Sequence, residues 1–214
     1  MSCTAGGDLV CRHNLIRDIF FRYCQRARLN PQLEKAGLLE DDSIFVNLRR
    51  PADVLAEMGS AGTPSGGAPW VRTALDVKVI NAMGQGHLED TCVGGLVAAE
   101  AYREQQKQHL NTADLCAQRG ISYEPLVFTA QGGMERHAEA ILSRIAAGVA
   151  KNEDASAAEI KAEFMQEVSV SLMRSVAKAV LRRRCNPCAA GALAAERGRA
   201  EAALLQEESE FRYQ

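Results

Sequence analysis

A chain of 214 residues with 47% hydrophobic and 24% charged side chains holds enough apolar material for one domain with appendages, and two full domains would be a squeeze. Its formal net charge of −2 gives no global attraction to nucleic acid or membrane, so any such contact has to come from a local patch. The sequence shows no apolar run approaching the ~18–20 residues that span a bilayer, and MSCTAGGDLV lacks the order of a signal peptide; its seven cysteines are odd in number and irregularly spaced, so reduced thiols and an intracellular location, cytosol or nucleus, are expected.

From Arg12 to Arg28 apolar residues recur at Leu15, Ile16, Ile19, Phe20 and Tyr23, which predicts a helix closed by Asn30-Pro31. Ile44–Leu48 and Pro51–Ala56 are short β-prone stretches, and MGSAGTPSGGAP reads as a loop. Arg72–Ile80 is the strongest strand pattern in the chain. Gly94–Arg119 reads as one long helix capped by Gly120, Tyr123–Ala130 as a strand broken by Gly132-Gly133, and Glu135–Val149 as another helix. Ser156–Arg184 has one long helical pattern, Asn186-Pro187 interrupts it, and Ala189–Glu208 is rich in Ala, Glu, Leu and Arg. The expected architecture is a small α/β sandwich over residues 1–150, with a helical tail over 151–214.

The chemistry concentrates in ALDVKV, Ala74–Val79. Side chains alternate faces along a strand, so Asp76 and Lys78 point the same way with Cα atoms roughly 6.5 Å apart, while Leu75, Val77 and Val79 turn to the core. A hairpin across the Gly/Pro loop would bring Asp53 of RRPADVL beside Asp76. Two close carboxylates repel and are stabilised by a hard divalent cation; Mg²⁺ takes one or two protein carboxylates and keeps waters and phosphate oxygens as its other ligands. A neighbouring lysine can orient an attacking water, so the set suits metal-assisted phosphodiester hydrolysis. Taken alone, Asp-X-Lys on a half-exposed strand is a weak signal and is usually a solvated face with a cross-strand ion pair.

Several further stretches occur collinearly with it: RHNLIRDIF at Arg12–Phe20, LEKAGLL at Leu33–Leu39, RRPADVL at Arg49–Leu55, and YREQQKQHLNTADLCAQRGISYEPLVFTAQGG at Tyr102–Gly133. Together with ALDVKVI they resemble the nuclease-like domain that follows the reverse transcriptase in certain non-long-terminal-repeat retrotransposons, a member of the PD-(D/E)XK, or restriction-endonuclease-like, superfamily. The resemblance covers residues ~10–150 and implies a core of helix, three strands, helix, strand and helix, with a C-terminal helical extension beyond it. It implies a Mg²⁺ (or Mn²⁺) dependent endonuclease that nicks a DNA target, with DNA as partner, the reverse transcriptase of the parent element beside it, no membrane, and a nuclear site of action. Pro51-Ala52-Asp53 stands for the PD, with one residue inserted, and Asp76-Val77-Lys78 for the (D/E)XK. Asp53 and Asp76 would be metal ligands, Glu34 an accessory acid, and Arg49 and Arg50 phosphate contacts. Relatives often carry their lysine in the following helix, so Lys78 and Lys107 both stand as the catalytic lysine. CTAGGDLVCRHN is similar to the end of a Cys/His zinc segment in relatives, with Cys3 as last ligand, which makes the chain look like a truncated or domesticated remnant. The competing expectation is a catalytically inactive remnant that binds DNA or protein, and a third is a scaffold using Ala189–Gln206 as a partner-binding helix.

Other features read more simply. Cys11-Arg12-His13 has too few ligands for tetrahedral zinc, and a buried thiol beside a helix-start histidine is expected. Cys185-Asn186-Pro187-Cys188 is a lone CxxC, with zinc or redox chemistry as the alternative to an incidental pair. The run Leu181–Arg184, with Arg174 and Lys178, makes a basic helix end that suits the dipole or could grip phosphates. His87, His109 and His137 lack a partner at a spacing that defines a triad.

Overall fold

The computed structural model describes residues 8–39, 51–59 and 70–185. Arg49, Arg50, the stretch Ile44–Leu48, Cys3, most of the Gly/Pro loop and Ala189–Gln206 lie outside the described residues.

Helix α1 spans Asp8–Arg26, four residues earlier at its start than the periodicity alone indicates, with an acid in the first turn and a base in the last, as the helix dipole favours. Its buried stripe is Ile16, Ile19, Phe20 and Tyr23, the i, i+3, i+4, i+7 spacing of one helix face. Arg28 and Asn30 then take positive φ (56° and 47°) and turn the chain into β1, the two-residue strand Gln32–Leu33. Strand β2 is Val54–Gly59 and β3 is Trp70–Ile80. A short 3₁₀ turn at Gln85–His87 leads into α2, Leu88–Val93, and α3 follows at Val97–Gln108.

The single helix expected over Gly94–Arg119 is broken in two. Leu110 and Asn111 both have φ of 53°, a conformation that no α-helix passes through, so a 3₁₀ turn at His109–Asn111 separates α3 from α4, Thr112–Gln118. Strand β4 runs Ile121–Thr129, α5 runs Arg136–Glu153, and α6 runs Ala157–Cys185.

The sheet is mixed, in the order β1-β2-β3-β4. The first three strands form an antiparallel meander, and β4 pairs parallel with β3. The crossover through α3 and α4 supplies the length that a parallel connection requires. Pro125 sits inside β4 opposite Asp76, tolerated because β4 is an edge strand. On one face Val54, Ala56, Leu75, Val77, Leu126 and Phe128 pack under α1, α5 and α6. On the other, Leu55, Ala74, Ile121 and Tyr123 pack with Cys116 of α4, and Ile80 and Val127 with Ala98 and Ala99 of α3.

Helix α6 lies in the segment read as a tail, yet Ile160, Phe164, Val168 and Leu172 belong to the same buried cluster as α1 and the sheet. Phe164 stacks on Tyr23 at 3.8 Å between ring centroids and meets Phe20 edge-on at 4.9 Å. Such aromatic pairs add to the free energy of area burial.

Candidate functional site

The residues flanking the β2–β3 ladder are placed by pleat and register. Val54 faces Leu75 across the antiparallel pair, so Asp53, one residue before β2, falls level with Asp76. The Asp53 amide donates to the Leu75 carbonyl at 3.0 Å, and the Val77 amide donates to Asp53 Oδ2 at 2.7 Å. Leu75 and Val77, fully buried under the helices of one face, turn Asp76 and Lys78 to the other, where Lys78 Nζ lies 3.0 Å from Asp76 Oδ1. Tyr123, on the same face of the neighbouring strand, donates its hydroxyl to Asp76 Oδ2 at 2.6 Å. His13 reaches from α1 to Asp53 Oδ2, at 3.0 Å from Nε2.

Five ionisable groups, Asp53, Asp76, Lys78, Tyr123 and His13, thus share one end of the sheet and perturb one another. Burial works to raise the Asp53 carboxyl, but the hydrogen bond and charge of His13, the Val77 amide and the charge of Lys78 outweigh it and hold the group below the ordinary carboxylate value. Asp76 goes the other way: burial raises it, Lys78 opposes, and the negative charge of Asp53 adds to the rise. Burial works to lower Lys78, but the charge and hydrogen bond of Asp76, together with the charges of Asp53 and Tyr102, bring it above its ordinary value. Two carboxylates driven in opposite directions are the expected behaviour of like charges held close in a poorly solvated place.

The remaining predicted residues are distributed more widely. Glu34 lies beside Asp53 through its backbone, donating its amide to the Asp53 carbonyl at 3.0 Å, while its side chain pairs with Arg17. Arg17 is one helical turn beyond His13, so the same side of α1 serves Asp53 and Glu34. Lys107 is 3.7 Å from Glu104 on its own helix and helps to hold Glu124 of β4 low; Lys78 is the lysine paired with Asp76. Arg49 and Arg50 lie outside the described residues.

His13 and Tyr123 were missing from the sequence-based set. Cys11, expected buried, is exposed, and the side chain turned inward at that turn is Arg12. His137, expected without an acid partner, lies 2.6 Å from Glu124. That carboxyl also accepts from Ser122 Oγ at 2.9 Å, and its partners outweigh burial to keep it below the ordinary value.

Among the described residues, no group of three or more His, Cys, Asp and Glu side chains forms a ready-made metal cage. What is assembled is a pair of carboxylates, hard oxygen donors of the kind and number that Mg²⁺ uses when waters and phosphate oxygens complete its octahedron. Among the described residues, both hydrogen bonds given to the Asp53 side chain go to Oδ2, and Oδ1 is the oxygen that could face an ion. On Asp76 both oxygens are engaged, one by Lys78 and one by Tyr123. The pair fits a hard cation that shares Asp76 with its lysine, and does not fit the soft ligand set that zinc prefers.

No protein-family model, no curated protein and no solved structure matches the chain. Among the described residues, no helix is long and apolar enough to cross a membrane.

Proposed function

We propose that this protein is a Mg²⁺ (or Mn²⁺) dependent DNA endonuclease with a PD-(D/E)XK, restriction-endonuclease-like core, of retrotransposon origin, which nicks one strand of its target. The observation that carries this reading is the level placement of Asp53, just before β2, and Asp76 on the adjacent strand β3, with Lys78 in contact with the second acid. The order of helix, three-stranded meander, helices, parallel strand and helix supports it. A divalent cation held by the two carboxylates would lower the pKa of a bound water and neutralise charge on the scissile phosphate. Asp53 would offer Oδ1 to that ion, and Asp76 would be kept in place by Tyr123. Lys78 donates from the Asp76 side to the attacking water or to a phosphate oxygen. Glu34, one residue beyond β1 and paired with Arg17, would contribute through an outer water contact. Arg49 and Arg50 precede Asp53 in the chain and would hold the DNA backbone.

A second reading has its own observation. The Asp76 side chain is only 8% exposed, and both its oxygens already have partners, as befits a structural ion pair in a remnant that binds DNA or protein without cutting. Incubation of the purified protein with supercoiled plasmid and Mg²⁺ or Mn²⁺ separates the two. Nicking by the wild type that disappears in Asp76→Ala supports the endonuclease; plasmid binding with no nicking in either metal supports the inactive module. Equal nicking by Asp76→Ala contradicts the site assignment.

A further inference from the structure

Two successive residues at the break between α3 and α4 take a left-handed conformation, Leu110 at φ 53°, ψ 28° and Asn111 at φ 53°, ψ 29°. Asparagine tolerates that region, whereas leucine enters it at a cost because its Cβ crowds the following carbonyl oxygen. Of the six non-glycine residues with positive φ among the described residues, Leu110 is the only apolar one, and it is 55% exposed. The bend is held in place by Thr112, itself buried, which donates its hydroxyl to the His109 carbonyl at 2.8 Å. A strained backbone that carries an exposed apolar side chain points to a contact made outside the chain.

The break lies beside the candidate site. Helices α3 and α4 cover the face of the sheet to which Asp76 and Lys78 turn. Tyr102 of α3 is close enough to Lys78 to help raise it, and Asp76 is close enough to Cys116 of α4 to help raise that thiol. Leu110 falls between Tyr102 and Cys116 in the chain, at the point where the two helices part. It is flanked by Lys107, half-buried, and by His109 and Asn111, both exposed, side chains able to donate to phosphate oxygens.

We propose that Leu110 is a wedge that enters the DNA base stack beside the scissile phosphate. This rests on the endonuclease reading above and states how that site reaches its strand. The Asp76 side chain is only 8% exposed, so the backbone of a straight duplex is poorly placed to meet it. An apolar side chain inserted at a base step unstacks it and kinks the duplex, and bent DNA meets more protein surface. The turn itself would be served better by glycine or a second asparagine; what leucine adds is apolar bulk on a rigid support. Pyrimidine–purine steps open most easily, so the wedge favours nicks beside such steps.

Permanganate attacks thymines that have lost their stacking, so a permanganate footprint of the full chain on a linear fragment of the plasmid, in EDTA to prevent cutting, tests this. The wild type makes thymines at pyrimidine–purine steps several-fold more reactive than in free DNA. Leu110→Asn, whose side chain suits the left-handed backbone, removes that reactivity, and Leu110→Phe, which keeps an apolar wedge, retains it. Nicking of the plasmid in Mg²⁺ falls at least about tenfold in Leu110→Asn and recovers on a duplex with a mismatched bubble, where the bases are already unstacked. No reactive thymines at protein concentrations that nick the plasmid overturn the wedge and leave the nuclease standing, as does reactivity that survives in Leu110→Asn. Reactive thymines without nicking support the wedge and refute the endonuclease; a wild type that neither binds nor nicks DNA refutes both. The wild-type footprint decides the matter even where a variant folds poorly.

Discussion

Tyr123 on β4 donates its hydroxyl to Asp76 Oδ2 on β3 at 2.6 Å, so one oxygen of the second acid is fixed by a neutral donor and the other is left to Lys78. Burial, with the nearby Asp76 charge second, keeps the Tyr123 hydroxyl protonated well beyond its ordinary range. This donor is therefore permanent. Tyr123→Phe leaves a buried carboxylate oxygen unpaired and should destabilise the fold by about 1–3 kcal/mol in urea unfolding. It should also slow nicking through misplacement of Asp76. Unchanged stability and rate would show that Lys78 alone orients the acid.

His13 makes the same site sensitive to pH in a definite direction. Its hydrogen bond to Asp53 raises the ring above its ordinary 6.5 in the folded protein, against the opposing effect of burial. A raised folded value means that the stabilisation is complete below 6.5 and is lost as the pH climbs through the folded value. From the other side, Asp53 sits below its ordinary 3.8, so its stabilisation is present above 3.8 and is lost as the pH falls through the folded value. Urea unfolding of wild type and His13→Gln should differ by about 1 kcal/mol between these limits and converge on the alkaline side. A difference independent of pH would place the His13 effect in packing.

The two lysines separate cleanly by contact. Lys78 touches Asp76, whereas Lys107 serves Glu104 and the field around Glu124. Plasmid nicking should fall by about 100-fold or more in Lys78→Met, the usual scale for loss of a proton-transfer group, and stay within a few-fold of wild type in Lys107→Met. The reverse order would assign the chemistry to the helix.

Much of this site follows from strand geometry alone. The pairing of Asp76 with Lys78 needs only the alternation of side chains in ALDVKV, and the approach of Asp53 needs only a hairpin. The partners that tune the acids were hidden for a physical reason: His13 and Tyr123 meet them across 40 and 47 residues of sequence, and no local spacing encodes such a contact. The break between α3 and α4 was hidden because an apolar period says nothing of φ, although Asn111 is a residue type that tolerates the left-handed region. Helix α6 illustrates a different loss. Its four-residue spacing of Ile160, Phe164, Val168 and Leu172 was present to be read, but the Ala- and charge-rich texture around it favours a solvated extension, and it is the burial of these residues in the common core and the stacking on Tyr23 that show otherwise.

That stacking gives a prediction of its own. Phe164→Ala opens a cavity between α6 and α1 and should cost about 3–5 kcal/mol, shared by the whole domain in a single unfolding transition. A separate early transition for α6, with the sheet unaffected, would make it an appended unit.

The central claim is that Asp53 and Asp76 together hold a divalent cation. Calorimetric titration of Mn²⁺ or Mg²⁺ into the wild type, Asp53→Asn and Asp76→Asn tests it most directly, with circular dichroism to confirm that each variant is folded. The proposal predicts saturable binding by the wild type and at least about tenfold weaker binding in either variant, the effect of removing one ligand from a small oxygen site. Equal affinity in all three folded proteins, or no binding by the wild type at millimolar metal, would contradict it.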